Sequence, residues 1–309
     1  MPLKPHHLFA AVAIAAVAGA QSPIVPGARP VQLSETGAGE GPTWRDGWLY
    51  FSGGGKISRW KPGGTGVEVF REESGGANGL RFDSQGRLIV CEARNRRVTR
   101  TELDGSITIL ADRFEGQRFN SPNDLTIDSK GRIYFSDPRY GKRDDMEMDV
   151  EGVYRIDAPG RVVRVLGREV ERANGVLVSP GDKFLYVADN NNNDPGGARK
   201  LWRFTLRPDG SAIAGSRHLI HDWGDGRGPD GVKMGSSGLL FAAGGLNEPH
   251  PPHETNAKKG GVYVLTPQGK LVDFVPIPKD EVTNCAFGGA DGRTLYITAG
   301  GTLWSIGTR

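Results

Sequence analysis

Six residues of one chemical kind, Glu40, Asn78, Asn123, Asn174, Asp230 and Asn284, each stand just ahead of a short apolar run. The runs read EGPTW, NGLRFD, NDLTID, NGVLVS, DGVKMG and NCAFGG. All six side chains offer oxygen. Glu40 and Asp230 supply two carboxylates, and Asn123 and Asn174 supply neutral amide oxygens, so the two negative charges match one divalent cation. Hard oxygen donors without imidazole or thiolate suit calcium, with magnesium, manganese or zinc as alternatives. Without a cation, two carboxylates in one place repel each other, and one takes up a proton. Taken singly, an Asn-Gly pair is only a turn former; taken as a set in phase with two acids, the six point to a metal cradle.

Elements that could bring such residues together follow from their spacing. The starts recur at intervals of roughly 40 to 55 residues, the period of a small antiparallel sheet stacked radially on the next. After most starts comes a turn and a second strand, as in DSQGRLIVCE, DSKGRIYFSD, SPGDKFLYVAD, GSSGLLFAAG and ADGRTLYITA. The pattern predicts an all-β, six-bladed β-propeller. The stretch from Asn284 to the C-terminus is too short for a blade, so the N-terminal strand around Val31 to Leu33 is expected to complete it. That closure removes exposed sheet edges. In a propeller the innermost strands run along the central channel, so equivalent strand ends converge on the axis.

The quoted segments, together with EGPTWRDGWLYFS, FNSPNDLTIDSKGRIYFSDPRYG and TNCAFGGADGRTLYIT, resemble the senescence marker protein/gluconolactonase/luciferin-regenerating enzyme family, in its bacterial gluconolactonase-like branch. SPNDL and FSDPRYG are the most specific parts. The resemblance implies a propeller with one divalent metal, commonly calcium, at the axial channel. It makes Glu40, Asn174 and Asp230 the core ligands and Asn123 a fourth ligand or a substrate contact. The implied reaction is hydrolysis of a sugar lactone, the cation polarising the ester carbonyl and activating water, with Asp230 as general base and Asn123 assisting. Animal members carry an arginine two residues before the counterpart of Asn123, where this chain has Ser121. Asn78, Asn284 and Ser121 are the weaker substrate-contact candidates. Two rival readings use the same cradle: a phosphotriesterase or fluorophosphatase-like hydrolase, and a noncatalytic binding propeller plugged by calcium.

Other features are plainer. No G-x-S-x-G elbow occurs, and in FSGGGK the lysine follows too soon after the first glycine for a P-loop. Asp137 and Tyr140 in SDPRYG are placed at the channel mouth or in a Pro-stabilised turn. The segment NEPHPPH, Asn247 to His253, reads as a stiff loop beside the pocket, and Asn190 to Asn193 as a polar loop. Cys91 and Cys285 fall in the second and last blades and read as buried thiols rather than a pair.

The net charge of +3 is spread along the chain, and Arg94, Arg96, Arg97 and Arg100 read as a solvated face, so nucleic acid is no expected partner. Gly 46 and Pro 20 against 8% aromatics fit many tight turns between short strands. Residues 1–20 read as a signal peptide: Lys4, His6 and His7, an apolar run from Leu8 to Ala18, then Ala18-Gly19-Ala20 before Gln21. The expected mature domain is 21–309, periplasmic or secreted, free of membrane after cleavage, and a monomer or weak homo-oligomer that takes a small-molecule lactone.

Overall fold

The computed structural model describes residues 21–309, so the expected signal peptide lies outside the described residues. Six four-stranded antiparallel sheets surround one axis. Blade 1 is β2 (Glu40–Arg45), β3 (Trp48–Gly53), β4 (Lys56–Trp60) and β5 (Glu68–Arg71). Blade 2 follows as β6 (Ala77–Phe82), β7 (Leu88–Glu92), β8 (Arg97–Thr101) and β9 (Ile107–Ala111). A two-stranded ribbon, β10 (Arg113–Phe114) and β11 (Gln117–Arg118), leads to blade 3: β12 (Leu125–Ile127), β13 (Ile133–Ser136), β14 (Val153–Ala158) and β15 (Arg161–Leu166). Blade 4 is β16 (Ala173–Val178), β17 (Phe184–Asn190), β18 (Arg199–Thr205) and β19 (His218–Asp222); blade 5 is β20 (Pro229–Met234), β21 (Leu240–Gly244), β22 (Gly261–Leu265) and β23 (Leu271–Pro276). Blade 6 takes β24 (Val282–Gly288), β25 (Thr294–Ala299) and β26 (Gly301–Gly307), and β1 (Val31–Ala38) is its outer strand.

The ring therefore closes as the chain length requires, with Val31 opposite Ser305 and Ala38 opposite Gly301. The closing strand is longer than the expected Val31–Leu33, running on to Ala38.

Second strands are mainly apolar because a neighbouring blade covers each face, with buried polar residues such as Glu92, Asp189 and Asn190 toward their ends. Every residue of β7 and of β21 is buried, whereas β5 at the rim is mostly exposed. The apolar side chains form six clusters, each between two consecutive blades. Cys91 lies in the cluster between blades 2 and 3 and Cys285 in that between blades 5 and 6; both are buried and free.

Repeated turn chemistry fixes the first hairpin of blades 2 and 3. Asp83 Oδ1 accepts the N–H groups of Gln85 and Arg87, each at 2.9 Å, and Asp128 Oδ1 does the same for Lys130 and Arg132 at 3.0 and 2.9 Å. Gly86 and Gly131 follow with positive φ, which completes the reversal at no steric cost.

Candidate functional site

The inner strands β2, β6, β12, β16, β20 and β24 place the six oxygen-bearing residues at one end of the channel, Asn123 just ahead of its strand and the others within theirs. Five of the six share a local irregularity. Register slips between Glu40 and Thr43, Ala77 and Leu80, Ala173 and Val176, Pro229 and Val232, and Val282 and Asn284. An extra residue in one strand of a pair bends that strand and re-aims its side chains. Here the bend falls at the polar residue.

The glycine after four of the starts is a contact residue, not a hairpin turn. A Cβ on Gly41 would meet the Asn78 carbonyl oxygen at 2.1 Å, on Gly79 the Asn123 carbonyl at 2.5 Å, and on Gly175 the Asp230 carbonyl at 2.1 Å. On Gly231 it would run into the Asn284 side chain at 2.0 Å. Each missing side chain lets one inner strand lie against the backbone or side chain of a residue at the axis. Asp124 and Cys285 stand in the equivalent place in blades 3 and 6.

Hydrogen bonding separates the six. Asn284 is satisfied at both ends: Nδ2 donates to Glu40 Oε2 at 3.0 Å and Oδ1 accepts the Cys285 N–H at 2.9 Å. Asn174 is satisfied at one end only. Its Nδ2 donates to the Tyr140 hydroxyl oxygen at 2.9 Å, and that hydroxyl donates to the Asn190 carbonyl at 3.2 Å. The amide oxygens of Asn174, Asn123 and Asn78 are buried without a partner among the described residues. Buried acceptors left unpaired are costly, so three at equivalent positions offer themselves to a cation or a hydrogen-bond donor.

Glu40 is half-buried, while Asp230 is buried. Burial raises the pKa of Glu40 well above the ordinary carboxylate range, and the nearby charges of Asp230 and Asp124 raise it further. Burial likewise pushes Asp230 up to about 7, opposed by the Arg227 guanidinium. The two acids are thus held together in a place where neither ionises freely without added positive charge.

A fit test for a divalent cation rests on these groups. Glu40, Asp230 and the open amide oxygens of Asn174 and Asn123 offer two negative charges and neutral oxygens around one axis, a donor set that fits calcium. Among the described residues no group of three or more His, Cys, Asp and Glu is arranged to hold a metal, so a cation here would need amide oxygens beside the two acids.

Several neighbours surround the six, and of these Arg227, Glu254 and Glu281 escaped the sequence reading. Arg227 Nη2 is 2.8 Å from Glu281 Oε2 and 3.4 Å from Asp230 Oδ2, and its Nη1 is 3.5 Å from Glu254 Oε1. His250, from the NEPHPPH segment, sits 3.3 Å from Glu281 Oε1, which puts that loop beside the site as expected. Asp124, adjacent to Asn123, pairs with Lys233 at 3.4 Å. Arg227 stands three residues before Asp230, the one sequence signal that could have drawn attention to it.

Ser121 donates its backbone N–H to Asp137 Oδ1 at 2.7 Å, and its hydroxyl lies 3.5 Å from the Ala93 carbonyl. Asp137 also accepts the Asn120 N–H at 2.7 Å, so it shapes the turn into Asn123. Burial pushes Asp137 up to about 7 against those bonds. Tyr140 does reach the mouth, through Asn174, and burial together with the Asp230 charge raises its pKa. A cavity of about 590 Å³ lies at the rim between Ile24–Pro30 and the strands of blades 5 and 6, away from all of these groups.

Residues 38–301 match the model of the SMP-30/Gluconolactonase/LRE-like region. A gluconolactonase of Zymomonas mobilis is 28% identical, over 87% of this chain and 78% of that protein. A 6-deoxy-6-sulfogluconolactonase of Pseudomonas putida is 30% identical, over 84% of this chain and 82% of its own length. Among solved structures, a gluconolactonase of Xanthomonas campestris superposes with a TM-score of 0.78 at 30% identity, covering 93% of this chain and 92% of that one.

Proposed function

The chain belongs to the SMP-30/gluconolactonase/LRE-like family, and from that premise we propose that it is a lactonase that hydrolyses a sugar lactone with a divalent cation at the channel mouth. The observation that carries the metal reading is the unpaired Asn174 oxygen, fixed in place by its own amide nitrogen on Tyr140. A side chain pinned at its donor end presents its acceptor end in one orientation. Such a group is built for a positive ligand rather than for water exchange.

In this reading Glu40, Asn174 and Asp230 hold the cation, and Asn123 is a fourth ligand or touches the substrate. Calcium is the favoured ion, because it accepts neutral oxygens in irregular geometry. When bound, a divalent cation supplies a Lewis acid for the ester carbonyl and lowers the pKa of water. The chain's own residues do the rest. Asn284 holds Glu40 through Oε2, and Arg227 holds Asp230 through Oδ2. Asp230 accepts the proton of the attacking water at its carboxylate. Asn78 stands at the edge of this set as a substrate contact; Asn284 acts through Glu40. Ser121 leaves the place of the animal arginine without a cation, so recognition of the sugar acid differs from the animal type.

The test is a panel of sugar lactones and one phosphotriester, assayed with EDTA-stripped and calcium-restored protein. Lactone turnover lost on stripping and regained with calcium is the expected result. Turnover of the phosphotriester alone, or lactone turnover indifferent to EDTA, would remove the reading. The proposal extends to location: residues 1–20 are cleaved and the protein is exported, periplasmic or secreted. Mass spectrometry of the exported protein should find Gln21 as its first residue, and finding Met1 with the whole apolar run would end that part of the proposal.

A further inference from the structure

The inner strands carry a second set of side chains three to four residues beyond the polar starts. Extended backbone advances about 3.3 Å per residue, so this set lies roughly 10 Å further along the channel, at its opposite end. There Thr43, Trp44, Arg81, Phe82, Lys233 and Phe287 line a cavity of about 300 Å³. Its walls combine aromatic and aliphatic side chains with a comparable share of polar surface, and two cations stand in them on blades 2 and 5, which face each other across the axis.

The charge in this cavity is not balanced. Lys233, 12% exposed, has Asp124 as its ion-pair partner at 3.4 Å. Arg81 forms no salt bridge among the described residues, and the nearest opposite charge that acts on it is the same Asp124. Burial lowers the pKa of Arg81, as it does for a cation with too little compensation. Arg45 lies over the Phe82 ring at 5.4 Å but has its own partner in Asp46 at 3.0 Å. Two cations against one carboxylate leave a surplus of one.

We propose that this lower cavity is a binding site for a small organic monocarboxylate, its carboxylate between Arg81 and Lys233 and its apolar flank against Trp44, Phe82 and Phe287. A guanidinium presents a planar fork that matches a carboxylate. One negative charge cancels the surplus, whereas a dianion such as phosphate overshoots it and leaves the apolar walls unused. The inference does not rest on the lactonase reading: Lys233 touches the upper site only through its pairing with Asp124, and none of the lining residues is a proposed metal ligand.

Calorimetric titration of the full chain in calcium buffer with benzoate tests it, with benzyl alcohol and inorganic phosphate as comparison probes. Benzoate should bind saturably, benzyl alcohol should not, and phosphate should bind at least about tenfold more weakly. Arg81→Gln should weaken benzoate at least about tenfold, the scale of one charge-assisted contact. Thr43→Glu, which adds a carboxylate to the wall without touching Arg81, should do the same. No benzoate binding to the wild-type chain, equal binding in both variants, or phosphate tighter than benzoate would overturn the proposal. So would benzoate binding abolished by EDTA and untouched by the two variants, because the anion would then sit at the other end of the channel. No arm measures lactone turnover, so failure here leaves the proposed function standing.

Discussion

Asn174 and Asn284 are the same residue at the same place in blades 4 and 6, and their amides are used in opposite ways. In blade 6 both ends of the amide are occupied, one by the neighbouring Glu40 and one by the backbone of Cys285. In blade 4 the nitrogen is tied to Tyr140 and the oxygen is left buried and open. Equivalence in the repeat therefore says which residues reach the axis but not what they do there. What decides is whether a side chain's polar atoms are already satisfied, because an unsatisfied buried acceptor has a cost that a bound cation removes.

The sharpest way to break this comparison is at Asp230, the acid proposed both to hold the cation and to take the proton. Asp230→Asn keeps an oxygen for the cation but removes the base. With calcium high enough to refill the site, lactone turnover should fall by about 10³-fold, within the range of general-base loss. Turnover near that of the wild type across several lactones would leave Asp230 as a ligand only.

A second break acts on the scaffold that brings blades 4 and 5 together. In Gly175→Ala the new Cβ would meet the Asp230 carbonyl oxygen at 2.1 Å, and a backbone atom cannot swing aside. Overpacking of this kind costs about 1–3 kcal/mol, which thermal or denaturant unfolding will register. Gly141→Ala is the control, since nothing lies within 4 Å of its Cβ position and its φ is not in the left-handed region. Equal stability of the two variants would show that the axial glycines are ordinary.

How far the sequence was legible follows the same division. The six blades could be read because a strand, a turn and a polar start recur together, and chain closure because the last repeat is too short without β1. The six axial residues could be read because Glu40 and Asp230 share a phase with four asparagines. The role of Gly41, Gly79, Gly175 and Gly231 could not: Asn-Gly is a turn signal in one dimension, and only the neighbouring blade reveals the contact. Arg227, Glu254 and Glu281 were invisible for a related reason. They have no counterparts in other repeats, and a lone charged residue gives no hint of which distant strand it meets. The amide states of Asn174 and Asn284 are also tertiary facts, set by Tyr140 and Glu40 from other blades.

Calorimetric titration of metal-free protein with calcium tests that distinction most directly, using the wild-type chain, Asn174→Ala and Asn284→Ala. A ligand lost from the cation itself should weaken binding more than a group that only holds a ligand in place, whose loss is worth about 10- to 100-fold. The account predicts one calcium per wild-type chain, the greater loss in Asn174→Ala, and the smaller in Asn284→Ala. Equal affinities in all three proteins, or a greater loss in Asn284→Ala, would contradict it.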